Sequence, residues 1–246
     1  MVQLLAAPSL LAPGGAPVRP RRLPANVPLC VPPALAVVTA ALYGTFALVQ
    51  WRRFESPSWD LGIFTEVVQD YGRLQAPVVP IKGPGVDLLG DHFSPVLALL
   101  GPVWDVFPSP VTLLTVQVLL VAISVLVVTR LAVSKLPLGA AVAVGVGYAF
   151  SFGLQGAVNV QFHEVAFAVP LLALSLAALI SDRPRRAALW ALPLLLVKED
   201  LGLTVAVIGV LLLTRGARRW GGVLIVVGVG GFLVITCLLI PAANSG

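Results

Sequence analysis

Four short stretches of this chain hold side chains able to move a proton, carry a charge or grip a phosphate. The first is Trp59–Asp60–Leu61–Gly62–Ile63–Phe64. Its carboxylate, Asp60, has two readings: a helix N-cap, for which aspartate is a preferred residue, or a general base held at a membrane interface. The second is Gly90–Asp91–His92–Phe93–Ser94–Pro95, where Asp91 and His92 are either solvated turn side chains or a carboxylate–imidazole pair. The third, Gln161–Phe162–His163–Glu164, holds the other of the chain's 2 histidines, again beside an acid. A histidine oriented by a carboxylate can act as a general base or ligate a divalent cation. No HxxxH or HExxH spacing occurs, so a divalent cation stays an open cofactor and no metal ligand is assigned.

The fourth stretch, Val197–Lys198–Glu199–Asp200–Leu201–Gly202, puts three consecutive charges between two apolar segments. It is either a polar interhelical turn or a lining for polar substrate groups. In the second case Lys198 balances a phosphate, while Glu199 or Asp200 holds sugar hydroxyls. His163 and Glu164 join this substrate-binding set. Arg52 and Arg53, with Arg73 and Lys82, are phosphate contacts or simple interfacial anchors.

The elements that must position these residues are membrane helices. Of 246 residues 58% are apolar and only 11% charged, with a mean hydropathy of +0.98. Several apolar runs approach the length of about 20 residues that crosses a hydrocarbon core. The net charge of +5 is no nucleic-acid signal, because most bases sit in short loops beside apolar runs. Cys30 and Cys237 both lie in apolar runs, which rules out a disulfide framework or a CxxC metal site.

The runs predict seven spans, at about 31–50, 111–128, 137–153, 165–180, 187–197, 201–214 and 222–240. Residues 1–28 read as a disordered cytoplasmic tail with a basic stretch at Arg19, Arg21 and Arg22, and 29–246 as the transmembrane domain. With the amino terminus inside, eleven of the 16 bases are cytoplasmic, and of the 11 acids only Asp182 is. That satisfies the positive-inside rule for a multi-pass protein of the cell membrane.

Residues 51–95 then form a long extracytoplasmic loop. Leu61, Phe64, Val68 and Tyr71 recur at helical spacing opposite Glu66, Gln69 and Asp70, which predicts an interfacial amphipathic helix. Ser94–Pro95 and Ser109–Pro110 each read as a cap followed by proline at the first helical position. The segment 95–107 is too short to span. Segments 187–197 and 201–214 are also short; a hairpin between them sinks Lys198–Asp200 into the bundle, whereas one helix from Ala187 to Thr214 breaks the charge sorting. Gly145, Gly147, Gly228, Gly230 and Gly231 read as close-packing positions.

The four stretches, in this order, resemble the hallmark motifs of the bacterial membrane proteins called domain of unknown function 2079. That family is distantly similar to the C-type (GT-C) integral-membrane glycosyltransferases. The resemblance implies an all-α, polytopic, GT-C-like bundle that takes a sugar from a polyprenyl-phosphate donor at the outer face, with inversion. Asp60 then holds the place of the catalytic acid of the first outer loop, aided by Asp91 and His92. Relatives are longer, so a version shortened at its carboxy end is expected.

Two other classes stay open: a transporter or lipid-handling protein without covalent chemistry, and a membrane scaffold or non-functional fragment. Geometry separates them. Convergence of Asp60, Asp91, His92, His163 and Lys198–Asp200 on one outward cavity closed from the cytoplasm favours an enzyme. A polar path reaching Asp182 or the basic loops favours transport. Four scattered motifs with no shared cavity favour a scaffold.

Overall fold

The computed structural model describes residues 27–244. The expected tail with Arg19, Arg21 and Arg22 lies outside the described residues. Chain segments this apolar must satisfy their backbone internally, and they do so as helices. Helices α1 (Val27–Arg52) and α4 (Pro110–Lys135) pack together, and α5 (Leu138–Ala149) packs on α4. A short break at Phe150–Ser151 separates α5 from α6 (Phe152–Asn159). Then come α7 (Ala168–Ile180), α8 (Pro184–Ala191), α9 (Leu201–Thr214) and α10 (Arg218–Val234). The last of these runs through a π-helical turn, Ile235–Leu239, into α11 (Ile240–Asn244).

The chain is thus an all-helical bundle with 4 stretches long and apolar enough to cross a membrane: Leu29–Arg52, Pro110–Lys135, Leu138–Asn159 and Arg218–Asn244. Glu164–Ile180 and Leu201–Thr214 are apolar but shorter. The stretch expected as a span at 187–197 is α8 followed by a 3₁₀ turn, Leu192–Leu196. Pro193 sits in that turn and cannot donate a backbone hydrogen bond, so the α-helix stops there. The chain turns again before α9, which makes the hairpin and not the single long helix.

Of the two serine–proline starts, only one caps. Ser109 Oγ accepts a hydrogen bond from the Val111 N–H at 3.3 Å, with Pro110 at the first helical position. Ser94 is buried and makes no capping bond, although Pro95 opens a 3₁₀ helix, Pro95–Leu100, that leads into α3 (Gly101–Val106).

The amphipathic segment is α2 (Asp60–Gly72), which buries Leu61, Phe64, Val67 and Val68. These side chains join Leu97, Leu113, Phe162, Leu194 and Val197 in one core cluster beneath the α1–α4 connection. Burial of each such aliphatic or aromatic side chain contributes about 1.5–3 kcal/mol, enough to hold the loop segment against the bundle.

Helices α9 and α10 are in close contact through glycines. A Cβ on Gly202 would come 2.7 Å from the Gly228 carbonyl oxygen, and one on Gly228 would come 2.6 Å from that of Gly202. Gly209 and Gly221 repeat the relation two turns further along, at 2.8 and 2.7 Å. Gly145 and Gly231 are also crowded. Gly147 and Gly230, expected as packing glycines, instead face open space.

Candidate functional site

At one end of the bundle α1 stops, α4 starts and α6 gives way to the third motif. Gln50, in the last turns of α1, donates from Nε2 to the Asn159 carbonyl at 2.9 Å. Ser56 Oγ bonds Gln161 Oε1 at 2.9 Å, and Ser58 Oγ donates to the Val160 carbonyl at 3.1 Å. Gln161 is buried and holds a left-handed backbone, φ +68°, where a non-glycine residue is strained.

That strain is held by Gln117, a buried residue in the apolar middle of α4. Its Nε2 donates to the Ala157 and Gln161 carbonyls at 2.9 and 2.5 Å. Its Oε1 accepts the His163 N–H at 3.0 Å. One amide therefore fixes both sides of the turn that presents His163 and Glu164.

Glu164 is fully buried, at 0% exposure. Its Oε2 lies 2.5 Å from His163 Nδ1, and its Oε1 lies 3.3 Å from Lys198 Nζ. A sealed carboxylate does not touch a substrate. It acts through the partly exposed imidazole and ammonium that it holds. The His163 ring also meets Phe64 edge-on, with centroids 5.2 Å apart.

A second group of charges lies beside this one. Glu199 Oε2 accepts the Phe93 N–H at 3.1 Å, and its Oε1 is 3.5 Å from His92 Nδ1. His92 Nε2 is 3.6 Å from Asp91 Oδ2, and Lys82 pairs with the same carboxylate. Partial burial works against charge on Asp91. The Lys82 ammonium, His92 and Lys198 overcome it, so the carboxyl is held below its ordinary value. Because Lys198 contacts Glu164 and also acts on Asp91, it connects the two groups.

The structure therefore brings together Asp91, His92, His163, Glu164, Lys198 and Glu199 from three separate motifs, and adds Lys82. Asp60 stands apart from these pairs. It is the first residue of α2, not its cap, because Trp59 occupies the cap position with helical backbone angles. The Asp60 side chain is half-buried and forms no hydrogen bond or ion pair among the described residues. It lies one helical turn before Phe64, the residue packed on His163. Asp200 is exposed and joins neither group. Arg52 and Arg53 are exposed, with Arg53 Nη1 4.0 Å from Glu55.

Among the described residues no group of three or more His, Cys, Asp or Glu side chains is placed to hold a metal ion. Asp182 sits at the opposite, basic end, 3.6 Å from Arg215 Nη1, which also donates to the Leu179 carbonyl.

Three residues were not singled out as site residues on sequence grounds. Gln117 carried a signal, being a lone amide in an apolar run. Gln50 had none, at the end of its span. Glu66 lies opposite the apolar stripe in the sequence pattern, yet its Oε2 is sealed and has no hydrogen-bond partner among the described residues.

Among known protein families, residues 51–246 match the one described as "Predicted membrane protein (DUF2079)". No curated protein and no solved structure matches the chain.

Proposed function

Because the chain belongs to the DUF2079 family of predicted membrane proteins, and because three of its motifs share one charged cluster, we propose a GT-C-like glycosyltransferase. It works at the extracytoplasmic face of the cell membrane, with the amino terminus in the cytoplasm and seven membrane-embedded segments, short ones included. The donor is a polyprenyl-phosphate sugar that enters from the bilayer.

In this reading the acceptor hydroxyl gives its proton to Asp60 as its oxygen bonds to the anomeric carbon. The bond from that carbon to the phosphate oxygen breaks on the opposite side, and polyprenyl phosphate leaves. Lys198, held by the buried Glu164, meets the phosphate charge, with Lys82 and Arg52 as further cations along the lipid's path. Asp91, His92 and Glu199 hold the second motif against the fourth.

The observation that carries this reading is the ionic contact of Lys198 with Glu164, in an assembly that also pairs Glu199 with His92. Buried charge of this kind is costly in a membrane protein and marks a working site. At the opposite end Asp182 pairs with Arg215, and among the described residues no ion pair joins that end to the cluster, which favours transfer over a transport path. Reconstitution with a panel of polyprenyl-phosphate sugars tests the reading. Transfer by the wild type that is lost in Asp60→Asn, with an unchanged melting temperature, supports it. Absence of transfer across the panel, or full activity of Asp60→Asn, overturns it.

A further inference from the structure

A cleft of about 390 Å³ opens between the end of α1, the first half of α2 and the start of α4. None of the charged-cluster residues lines it; it shares Gln161 with the turn that presents His163 and Glu164. Its aromatic wall is Trp51 with Phe54, a residue 90% exposed at a left-handed backbone, φ +56°. A highly exposed phenylalanine two residues past the end of a membrane-length helix suits contact with lipid acyl chains.

The polar side chains of the cleft are unbalanced. Ser56 Oγ and Thr65 Oγ1 donate to protein oxygens, Thr65 to the Leu61 carbonyl at 2.6 Å. Gln50 Nε2 faces the Asn159 carbonyl, and Gln161 Nε2 donates to the Glu55 carbonyl at 3.3 Å. What remains is acceptors. Gln50 is only 6% exposed and its Oε1 has no partner. Among the described residues Glu66 has no hydrogen bond or ion pair; its Oε2 is sealed, so it is the other carboxylate oxygen that is offered to the cleft. A carboxylate and an amide oxygen without donors beside an aromatic face call for a cation that carries N–H groups.

Next in the chain to the lining residue Trp51, and in the turn that carries Leu61 and Gly62, are groups that suit an anion. Arg52 is exposed at the last residue of α1. Leu61 and Gly62, in the first turn of α2, line the cleft, and that turn receives no side-chain cap. First-turn N–H groups have no partner within their helix and suit a phosphate.

We propose that this cleft binds the headgroup of an aminophospholipid, with its primary ammonium on Glu66, Gln50 and the Trp51 face, and its phosphate toward Arg52. Its ammonium side, Glu66, Gln50 and Trp51, uses no residue assigned to glycosyl transfer.

The test uses the full chain in detergent, titrated calorimetrically with dihexanoyl phosphatidylethanolamine, phosphatidylcholine and phosphatidylglycerol, and with free phosphoethanolamine. Phosphatidylethanolamine binds most tightly, because choline lacks N–H groups and glycerol lacks the charge. Glu66→Gln weakens phosphatidylethanolamine by about tenfold, the scale of one charge-assisted hydrogen bond, and leaves phosphatidylglycerol unchanged. Glu66→Asp, with the charge kept and withdrawn by one methylene, falls between. Free phosphoethanolamine binds more weakly than the lipid when the acyl chains lie on Phe54; equal binding overturns the lipid assignment. Equal binding of ethanolamine and choline lipids, or insensitivity to both Glu66 variants with near-ultraviolet circular dichroism unchanged, overturns the site.

Discussion

Glu199 and His92 stand 107 positions apart in the chain and meet with 3.5 Å between Oε1 and Nδ1. The same carboxylate takes the Phe93 N–H, so the turn before α9 holds the second motif by a side chain and by the backbone at once. A double-mutant cycle of His92→Ala and Glu199→Ala, read by chemical unfolding in detergent, is expected to give a coupling of about 0.5–3 kcal/mol. Additive losses would mean that the contact does not hold the two motifs together.

Glu164 and Lys198 set up a sharper asymmetry. Removing one partner of a buried pair leaves an uncompensated charge and costs about 3–5 kcal/mol. Lys198→Met leaves the sealed Glu164 carboxylate with His163 alone. The double variant Lys198→Met, Glu164→Leu removes both charges, and its melting temperature should recover part of the loss. If the double variant is no more stable than Lys198→Met, the buried pair is not the cause.

Much of this was legible in the sequence, and what was not has physical reasons. The sorted charges and the Ser109–Pro110 start depend on single residues and their immediate neighbours, and the structure has α4 where they put it. The four motifs stood out because charge is rare in so apolar a chain, and three of them do meet. Whether Asp60 or Ser94 bonds as a cap, or Glu66 lies open on the polar face, depends on what packs there, although Ser94 does hold the cap position before Pro95. Trp59 took the cap position, Ser94 was buried, and Glu66 faced the cleft beside α1. The glycines behaved alike: Gly228 and Gly230 differ by two positions, yet only one meets another helix.

Gln117 makes three hydrogen bonds around the third motif. Gln117→Leu fits an apolar helix and leaves the Gln161 and Ala157 carbonyls and the His163 N–H without that partner. A destabilisation of about 1–3 kcal/mol per group left unpaired is expected. The effect on transfer should exceed that of Gln117→Glu, which still accepts from His163. Equal activity of the two variants would show that the His163 backbone bond does not matter.

Asp91 predicts the behaviour in acid. Its carboxyl is held below the ordinary value by Lys82, His92 and Lys198, against partial burial. The stabilisation from a lowered pKa is complete above the ordinary carboxylate value and is lost as pH falls through the folded one. The melting temperature should therefore drop on acidification across that window. Asp91→Asn should flatten the drop while lowering the plateau at neutral pH. Because Asp91 is substantially exposed, solvent screening keeps the effect small. An identical acid profile for Asp91→Asn would remove this carboxylate from the pH response.

The glycine contact of α9 with α10 sets the position of the fourth motif, which ends where α9 begins. A methyl group on Gly228 meets the Gly202 carbonyl oxygen at 2.6 Å and the Ala206 nitrogen at 2.7 Å, both backbone atoms that cannot rotate away. The helices must separate, and the Lys198–Glu199 turn must move with α9. Gly228→Ala is expected to cost about 1–3 kcal/mol by overpacking and to lower transfer. Gly230→Ala adds the same methyl where nothing lies within 4 Å, and alanine favours helix over glycine. It should leave activity unchanged and stability equal or slightly higher. If both variants lose stability equally, backbone crowding is not what ties α9 to α10. If only Gly228→Ala loses it and transfer persists, the fourth motif does not depend on that contact.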